Sequence, residues 1–142
     1  MSSKMYSEIL QEFDEAPTRK EKLEVLRKNF TPRFGEFLQL AFSEDVKFDV
    51  ELPKTYKVNV EPVGMTMTTL HIEMPKLYRF IEGHPKRVAG LSGKKQQNLF
   101  IGVLESLHKD EAELLIKMVK KNLGVKFLTA NLLREAYPGI NL

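Results

Sequence analysis

The spacing of apolar residues over the first 43 positions has the period of an α-helix. Apolar side chains recur every three or four residues in three consecutive segments, so that each segment has one apolar face. Capping signals separate these segments, because Thr18 stands three residues before Glu21 and Thr31 is followed by Pro32. The pattern therefore predicts three helices, the first of which ends before Pro17.

The period changes to two in the stretch that follows. Val46, Phe48 and Val50 alternate strictly with charged residues, and a second alternating run starts at Tyr56. This alternation predicts a short extended segment or a hairpin near residues 46–60. Because one isolated hairpin is only marginally stable, we expect the segment to lie on the helical body.

Helical spacing returns after residue 69 and continues towards the end of the chain. Residues of the types that begin and end helices divide this part, and among them are Gly83, Ser92, Asp110 with Glu113, Gly124, Thr129 and Pro138-Gly139. There is no internal repeat, and there is no linker long enough to separate two domains. We therefore predict a mainly α fold, a compact domain of at least six helices over residues 1–142.

The composition is that of a globular protein, with 42% hydrophobic and 29% charged residues. The chain has no cysteine, which excludes disulfides and thiolate metal sites and is typical of a reducing compartment. No apolar run approaches the roughly 18 residues of a membrane span. The first residues turn acidic too early for a signal peptide. We expect a cytoplasmic protein with no membrane partner.

The net charge of +3 is distributed unevenly. Residues 1–51 carry 8 basic and 11 acidic side chains, whereas residues 52–142 carry 14 basic and 8 acidic ones. Six basic residues and one acidic residue fall within residues 76–95 alone. Such a local basic cluster suggests an anionic partner. The alternative is that these residues are ordinary solvent-exposed side chains on a helix and loop surface.

The sequence lacks the motifs of the catalytic chemistries that a basic protein of this size suggests. No glycine follows an aspartate, so the Lys-x-Asp-Gly signature of covalent nucleotidyl transfer is absent. The run from Gly90 to Lys95 fails as a phosphate-binding Walker A loop, and there is no Gly-x-Ser-x-Gly elbow. None of the three histidines has a histidine partner three to five residues away. We expect no enzymatic activity, no cofactor and no metal.

Several blocks of the chain occur in an order that resembles a known module. The blocks are Thr69-Leu70, Phe80–Glu82, the loop from Lys86-Arg87 to Leu91-Ser92-Gly93, the helix at Asp110 with its basic end Lys117–Lys121, Gly124, and Tyr137-Pro138-Gly139. Together they resemble the N-terminal DNA-binding domain of ATP-dependent DNA ligases, above all those of T-even-type tailed phages. The resemblance covers nearly the whole chain, which stops where the ligases continue into their adenylation domain.

In the ligases this module is mainly helical and grips duplex DNA across the minor groove, mostly through the backbone. The resemblance implies non-catalytic binding of double-stranded DNA and an accessory role in phage DNA metabolism, in the cytoplasm of the host cell. The positions that match the DNA-facing loops also supply positive charge and close backbone approach. They are Lys86, Arg87, Ser92, Gly93, Lys94 and Lys95 in a first loop, and Gly124, Lys126, Thr129 and Asn131 in a second.

The alternative is a protein-interaction module. A DNA-binding domain freed from its enzyme can keep its fold while its surface comes to bind a phage or host replication, transcription or defence protein. The acidic first 51 residues and the small net charge favour this alternative, because dedicated DNA-binding proteins are usually more basic.

Overall fold

Helices make up most of the computed structural model, which describes residues 4–62, 64–86 and 93–142. In this part of the chain a short α-helix, Leu70–Glu73, continues directly into a 3₁₀ helix, Met74–Phe80. The mainly helical fold predicted from the sequence is confirmed. The α-helices are α1 Tyr6–Glu15, α2 Arg19–Lys28, α3 Pro32–Phe42, α4 Leu70–Glu73, α5 Gly93–Ser106, α6 Lys109–Val119 and α7 Ala130–Ala136.

Threonine caps begin four of these helices. Each threonine hydroxyl accepts the backbone N–H of the residue three positions later at 3.1–3.2 Å, and the four are Thr18, Thr31, Thr69 and Thr129. The cap of α6 differs from the sequence prediction, because His108 rather than Asp110 is the N-cap residue. The Nδ1 atom of His108 accepts the N–H of Asp110 at 3.2 Å, which leaves the aspartate inside the first turn.

The hydrophobic core is a continuous cluster to which every helix contributes. Helix α3 is its centre, since six of its eleven residues are buried. The Tyr6 ring of α1 packs against Phe34 and Phe37 of α3 with centroid distances of 5.0 and 5.1 Å. On the far side, Phe80 meets Phe100 of α5 edge to face at 5.2 Å. Each such ring contributes roughly 1.5–3 kcal/mol by its burial, so the aromatic residues fix how the helices meet.

The segment over residues 46–60 is extended, and its apolar residues up to Tyr56 pack partly buried against the core, whereas Val58 and Val60 are exposed. This segment pairs with the residue that follows the 3₁₀ helix, since Phe48 and Ile81 form an isolated antiparallel bridge. The Asp49 N–H donates to the Phe80 carbonyl at 2.7 Å, and the Glu82 N–H donates to the Lys47 carbonyl at 2.8 Å. The extended alternative is thus correct, while the hairpin is not formed because the segment bonds to residues 80–82 instead of to its own second half.

The end of α6 departs from the prediction that Gly124 terminates it. The helix ends at Val119, and the left-handed position after its cap is occupied by Lys121 with φ +62°. The N–H groups of Lys121 and Asn122 close the turn on carbonyls of the last helical residues at 2.9 and 3.0 Å. In this hydrogen-bond pattern the left-handed residue is usually a glycine. Here that residue is Lys121, and Gly124 (φ +68°) lies in the loop after the helix end.

A tertiary contact explains the lysine at this position. The Lys121 ammonium donates to the carbonyl oxygens of Leu40 and Ser43, at the open C-terminal end of α3. Burial lowers the pKa of the Lys121 ammonium. The side chain therefore closes a second helix end, which offsets the strain of the left-handed backbone.

Candidate nucleic-acid interface

The first predicted loop ends in α5, whose opening residue Gly93 has φ +59°. Lys94 and Lys95 follow in the first turn with exposed side chains, and Lys86 is exposed on the far side of the loop. The next residue, Gln96, is buried and donates to the carbonyl of Arg79 at 3.0 Å, which fixes this turn against the 3₁₀ helix. This hydrogen bond connects the helix start to the 3₁₀ helix, while the two lysines are exposed to solvent. Two predicted site residues, Arg87 and Ser92, lie outside the described residues.

The electrostatics at the start of α5 are unusual for a helix. The first turn holds no acidic residue. Lys94 and Lys95 form no ion pair or hydrogen bond with any residue that the structure describes. The free N–H groups of a helix N-terminus carry a partial positive charge, so two ammonium groups beside them repel it. The arrangement concentrates positive charge at one point, where an anion would be bound by backbone and side chains together.

In the second predicted loop, three of the four residues have structural partners. The Thr129 hydroxyl is occupied as the cap of α7, where it accepts the Leu132 N–H. The Asn131 carbonyl oxygen accepts a hydrogen bond from Arg134 at 3.0 Å. Gly124 adopts a positive φ, and its N–H donates to the Asn122 side chain at 3.0 Å. The exposed ammonium of Lys126 is the free positive charge among these four residues.

The two loops pack on different elements. The first is anchored to the 3₁₀ helix through Gln96, whereas the second closes over α1 and α2. No hydrogen bond or ion pair within the described ranges joins the two loops. We call the first site the α5 surface (Lys86, Gly93, Lys94 and Lys95) and the groove beside the second loop the Phe127 groove, which is lined by Pro17, Arg19, Lys22, Phe127, Thr129, Asn131 and Leu132.

Sequence reasoning missed the residue that gives the Phe127 groove its character. Phe127 is 62% exposed and has φ +69°, a backbone conformation that strains a bulky side chain by roughly 1–2 kcal/mol. The Lys126-Phe127 pair beside Gly124 was a visible signal of a basic and aromatic surface. The positive φ of a phenylalanine has no sequence signature. Lys22 was also missed, because a lysine between apolar helix residues resembles any solvated lysine.

A polar cluster elsewhere in the molecule is structural. Glu111 is fully buried and accepts the N–H groups of Tyr6 and Leu70, at 3.1 Å each. Burial raises the pKa of its carboxyl, and these two hydrogen bonds oppose the shift. The Tyr6 hydroxyl is hydrogen-bonded to His71 at 2.9 Å. The cluster thus serves to join the starts of α1 and α4 to α6.

The described residues hold no group of three metal-ligating side chains close enough to bind one ion. Within the same ranges, no helix combines the length and apolar character needed to cross a membrane.

Residues 9–125 match the model of a family of unknown function, DUF6433. The chain belongs to this family. The match runs from α1 through α6 and includes the whole α5 surface. Neither a curated protein nor a solved structure matches the chain significantly.

Proposed function

We propose that this chain binds double-stranded DNA without catalysis, through phosphates of the DNA backbone at the α5 surface. The observation that carries the proposal is the first turn of α5, where Lys94 and Lys95 are exposed and no acidic side chain is present. Folding alone favours the opposite arrangement, with acidic residues at a helix start and lysines at its end. Departures from such sequence preferences occur most often at functional sites. A bound phosphate would be attracted both by the two ammonium groups and by the helix N-terminus, which otherwise repel each other.

The surroundings of the helix start suit a phosphate. A Cβ placed on Gly93 would meet nothing within 4 Å, so the backbone there is open to a ligand. Lys86 adds a third exposed ammonium across the loop, and Arg87 and Ser92 belong to the same proposed site by sequence. Contacts of this kind position a protein on DNA and carry no base information, so we expect low sequence specificity.

The likeness to the ligase module supports the same function and suggests its context. It favours contact across the minor groove and an accessory role in the DNA metabolism of a tailed phage, within the host cytoplasm. The likeness also assigns the second loop, with Gly124, Lys126, Thr129 and Asn131, to DNA, but Lys126 is the one charged residue of these four, so the proposal rests on the α5 surface. The absence of a Lys-x-Asp-Gly motif favours a binding protein over an enzyme.

A protein-interaction module is the second candidate. The observation that favours it is the excess of acidic side chains in residues 1–51, which make up α1, α2, α3 and the start of the extended segment. Acidic surfaces repel DNA, so this part of the protein is better suited to a protein partner.

A mobility-shift titration with intact, nicked and single-stranded DNA at two salt concentrations separates the candidates. We expect both duplexes to bind more tightly than the single strand, with affinity that falls steeply as salt increases. Comparison of the intact and nicked duplexes tests whether the protein, like the ligase module that it resembles, binds DNA at a strand break. If no DNA binds at micromolar protein and low salt, the interaction module replaces the proposal.

A further inference from the structure

A groove lies between the α1–α2 turn and the loop that precedes α7. Its volume of about 420 Å³ lies within the usual range for sites that enclose a ligand. Apolar side chains form most of its surface, and polar groups stand at its edge. The lining residues are Pro17, Arg19, Lys22, Phe127, Thr129, Asn131 and Leu132.

Burial does not account for the conformation of Phe127. The residue occupies the third position of a turn that the Leu128 N–H closes on the Val125 carbonyl at 3.2 Å. Its positive φ suits glycine or asparagine, not an aromatic residue. Its ring is mostly exposed, so burial does not compensate for the strain. Strained residues of this kind concentrate at ligand-binding sites, where the strain holds a side chain ready for its partner.

Two ammonium groups flank the ring. The Nζ atoms of Lys22 and Lys126 lie 5.7 and 5.3 Å from its centroid. Lys22 is buried and donates to the carbonyls of Phe13 and Asp14 at 2.8 and 3.3 Å. Neither ammonium pairs with a carboxylate in the part of the chain that the structure describes. Among the described residues the groove thus has positive charge that no carboxylate neutralises, next to an apolar surface.

The remaining polar groups complete a site for a carboxylate. Asn131 uses its side-chain oxygen to accept from Arg134, which leaves its amide N–H groups directed to solvent without a partner among the described residues. Arg19 is different, since both of its terminal nitrogens are bound to Glu135. A carboxylate would therefore be received by Lys126 and Asn131, while an adjacent apolar side chain packs on Phe127.

From these contacts we infer that the Phe127 groove docks a segment of a partner protein in which an apolar side chain adjoins a carboxylate. A single-stranded nucleic acid is the competing occupant, because bases stack on exposed aromatic rings. Of the two ammonium groups beside the ring, only that of Lys126 is exposed, and Arg19 is already bound to Glu135, so the groove is a poor match for that polyanion. One carboxylate and one apolar group match the local charge better than a row of phosphates. This inference does not depend on DNA binding at the α5 surface.

The test is an NMR titration of the full chain with three probes. These are the peptide acetyl-Glu-Phe-Asp-Leu-amide, its neutral counterpart acetyl-Gln-Phe-Asn-Leu-amide, and an eight-nucleotide oligothymidylate. We expect the acidic peptide to shift the amide signals of residues 18–22 and 125–132, and the neutral peptide to bind at least fivefold more weakly. The inference is overturned if the acidic peptide shifts none of these signals at millimolar concentration, or if both peptides bind equally. It is also overturned if the oligothymidylate shifts them while the acidic peptide does not.

Variants separate docking from folding. Phe127→Gly places the residue that a positive φ favours, so we expect a melting temperature within a few degrees of the parent and at least tenfold weaker peptide binding. Lys126→Ala should weaken binding of the acidic peptide at least threefold. Lys57→Ala changes an exposed lysine that does not line the groove, so it should leave binding unchanged. Full affinity in a folded Phe127→Gly protein contradicts the inference. If that variant does not fold, Lys126→Ala decides, and unchanged affinity there is equally contradictory.

Discussion

Glu111→Ala removes a side chain that bridges three helices. The fully buried carboxylate accepts the N–H of Tyr6, 105 residues away, and that of Leu70, 41 residues away, both at 3.1 Å. Those residues are the first of α1 and α4, whose opening N–H groups have no partner within their own helices. Glu111 is thus a shared cap for two helix starts, supplied from the first turn of α6.

The size of the effect follows from these two hydrogen bonds. A hydrogen bond to a charged group contributes about 1.5–3 kcal/mol, and a buried donor left unpaired costs about 1–3 kcal/mol. Relief of the buried charge offsets part of the loss. We expect Glu111→Ala to lower the free energy of unfolding by about 3–5 kcal/mol, and Glu111→Gln by about half of that because one acceptor oxygen remains.

The pH dependence provides a second signature. Burial raises the pKa of the Glu111 carboxyl above its ordinary value of 4.5, so the folded protein holds this proton more tightly than the unfolded chain. The stability that arises from this difference is complete below pH 4.5 and is lost as the pH rises through the folded-state pKa. Glutamine does not titrate. The advantage of the parent over Glu111→Gln should therefore shrink as the pH rises above 4.5.

Urea denaturation followed by circular dichroism, at two pH values, measures both effects. Glu113→Ala is the matched control, because Glu113 is exposed on the same helix and its loss should change stability by less than about 0.5 kcal/mol. A loss below about 1 kcal/mol in Glu111→Ala, or an advantage over Glu111→Gln that grows with pH, would refute the reasoning.

Three further predictions follow from the helix ends and from the sequence. Lys121→Ala and Lys121→Gly both lose the hydrogen bonds to the end of α3, but the alanine variant keeps the strain of the left-handed backbone. Thermal denaturation should therefore show the alanine variant to be less stable than the glycine variant by about 1 kcal/mol. The reverse order would contradict this explanation. Lys94→Glu with Lys95→Glu reverses the charge at the start of α5, and should raise the free energy of unfolding by about 0.3–1 kcal/mol per residue while abolishing DNA binding. A lowered stability there would argue against the dipole reasoning. Incubation with labelled ATP and Mg²⁺ should leave no acid-stable label on the protein, and covalent label would overturn the proposal of a non-enzymatic function.

Helix starts were predictable because their causes are local. A threonine followed by a helical segment satisfies the free N–H groups from within three residues, so Thr18, Thr31 and Thr129 could be assigned from the sequence. The extended character of residues 46–60 was equally local, since it follows from alternation. Its partner at Ile81 was not, because nothing in either segment specifies which backbone will supply the bridge.

The features that sequence reasoning missed depend on distant contacts. Lys121 adopts a glycine conformation because its ammonium reaches the end of α3, some 80 residues away in the chain. Glu111 looks like an ordinary acidic residue in a first helical turn until the structure places two other helix starts against it. For the candidate site, the lysines of the α5 surface were visible as a basic cluster, but the elements against which the two loops pack were not.

The salt dependence of duplex affinity tests the central proposal most directly. Each phosphate that a lysine neutralises releases about one counterion, so Lys94→Ala with Lys95→Ala should reduce the slope of log affinity against log salt by roughly two units. All duplex sequences should weaken about equally. The control is Lys57→Ala with Lys109→Ala, since both lysines lie at the other end of α5. The Lys57 N–H donates to Glu105 in the last turn of that helix, about 20 Å from its start, and Lys109 is the first residue of the next helix. We predict a shallower slope for the first pair and the parent slope for the second; equal affinity of the first pair and the parent at every salt concentration would contradict the account.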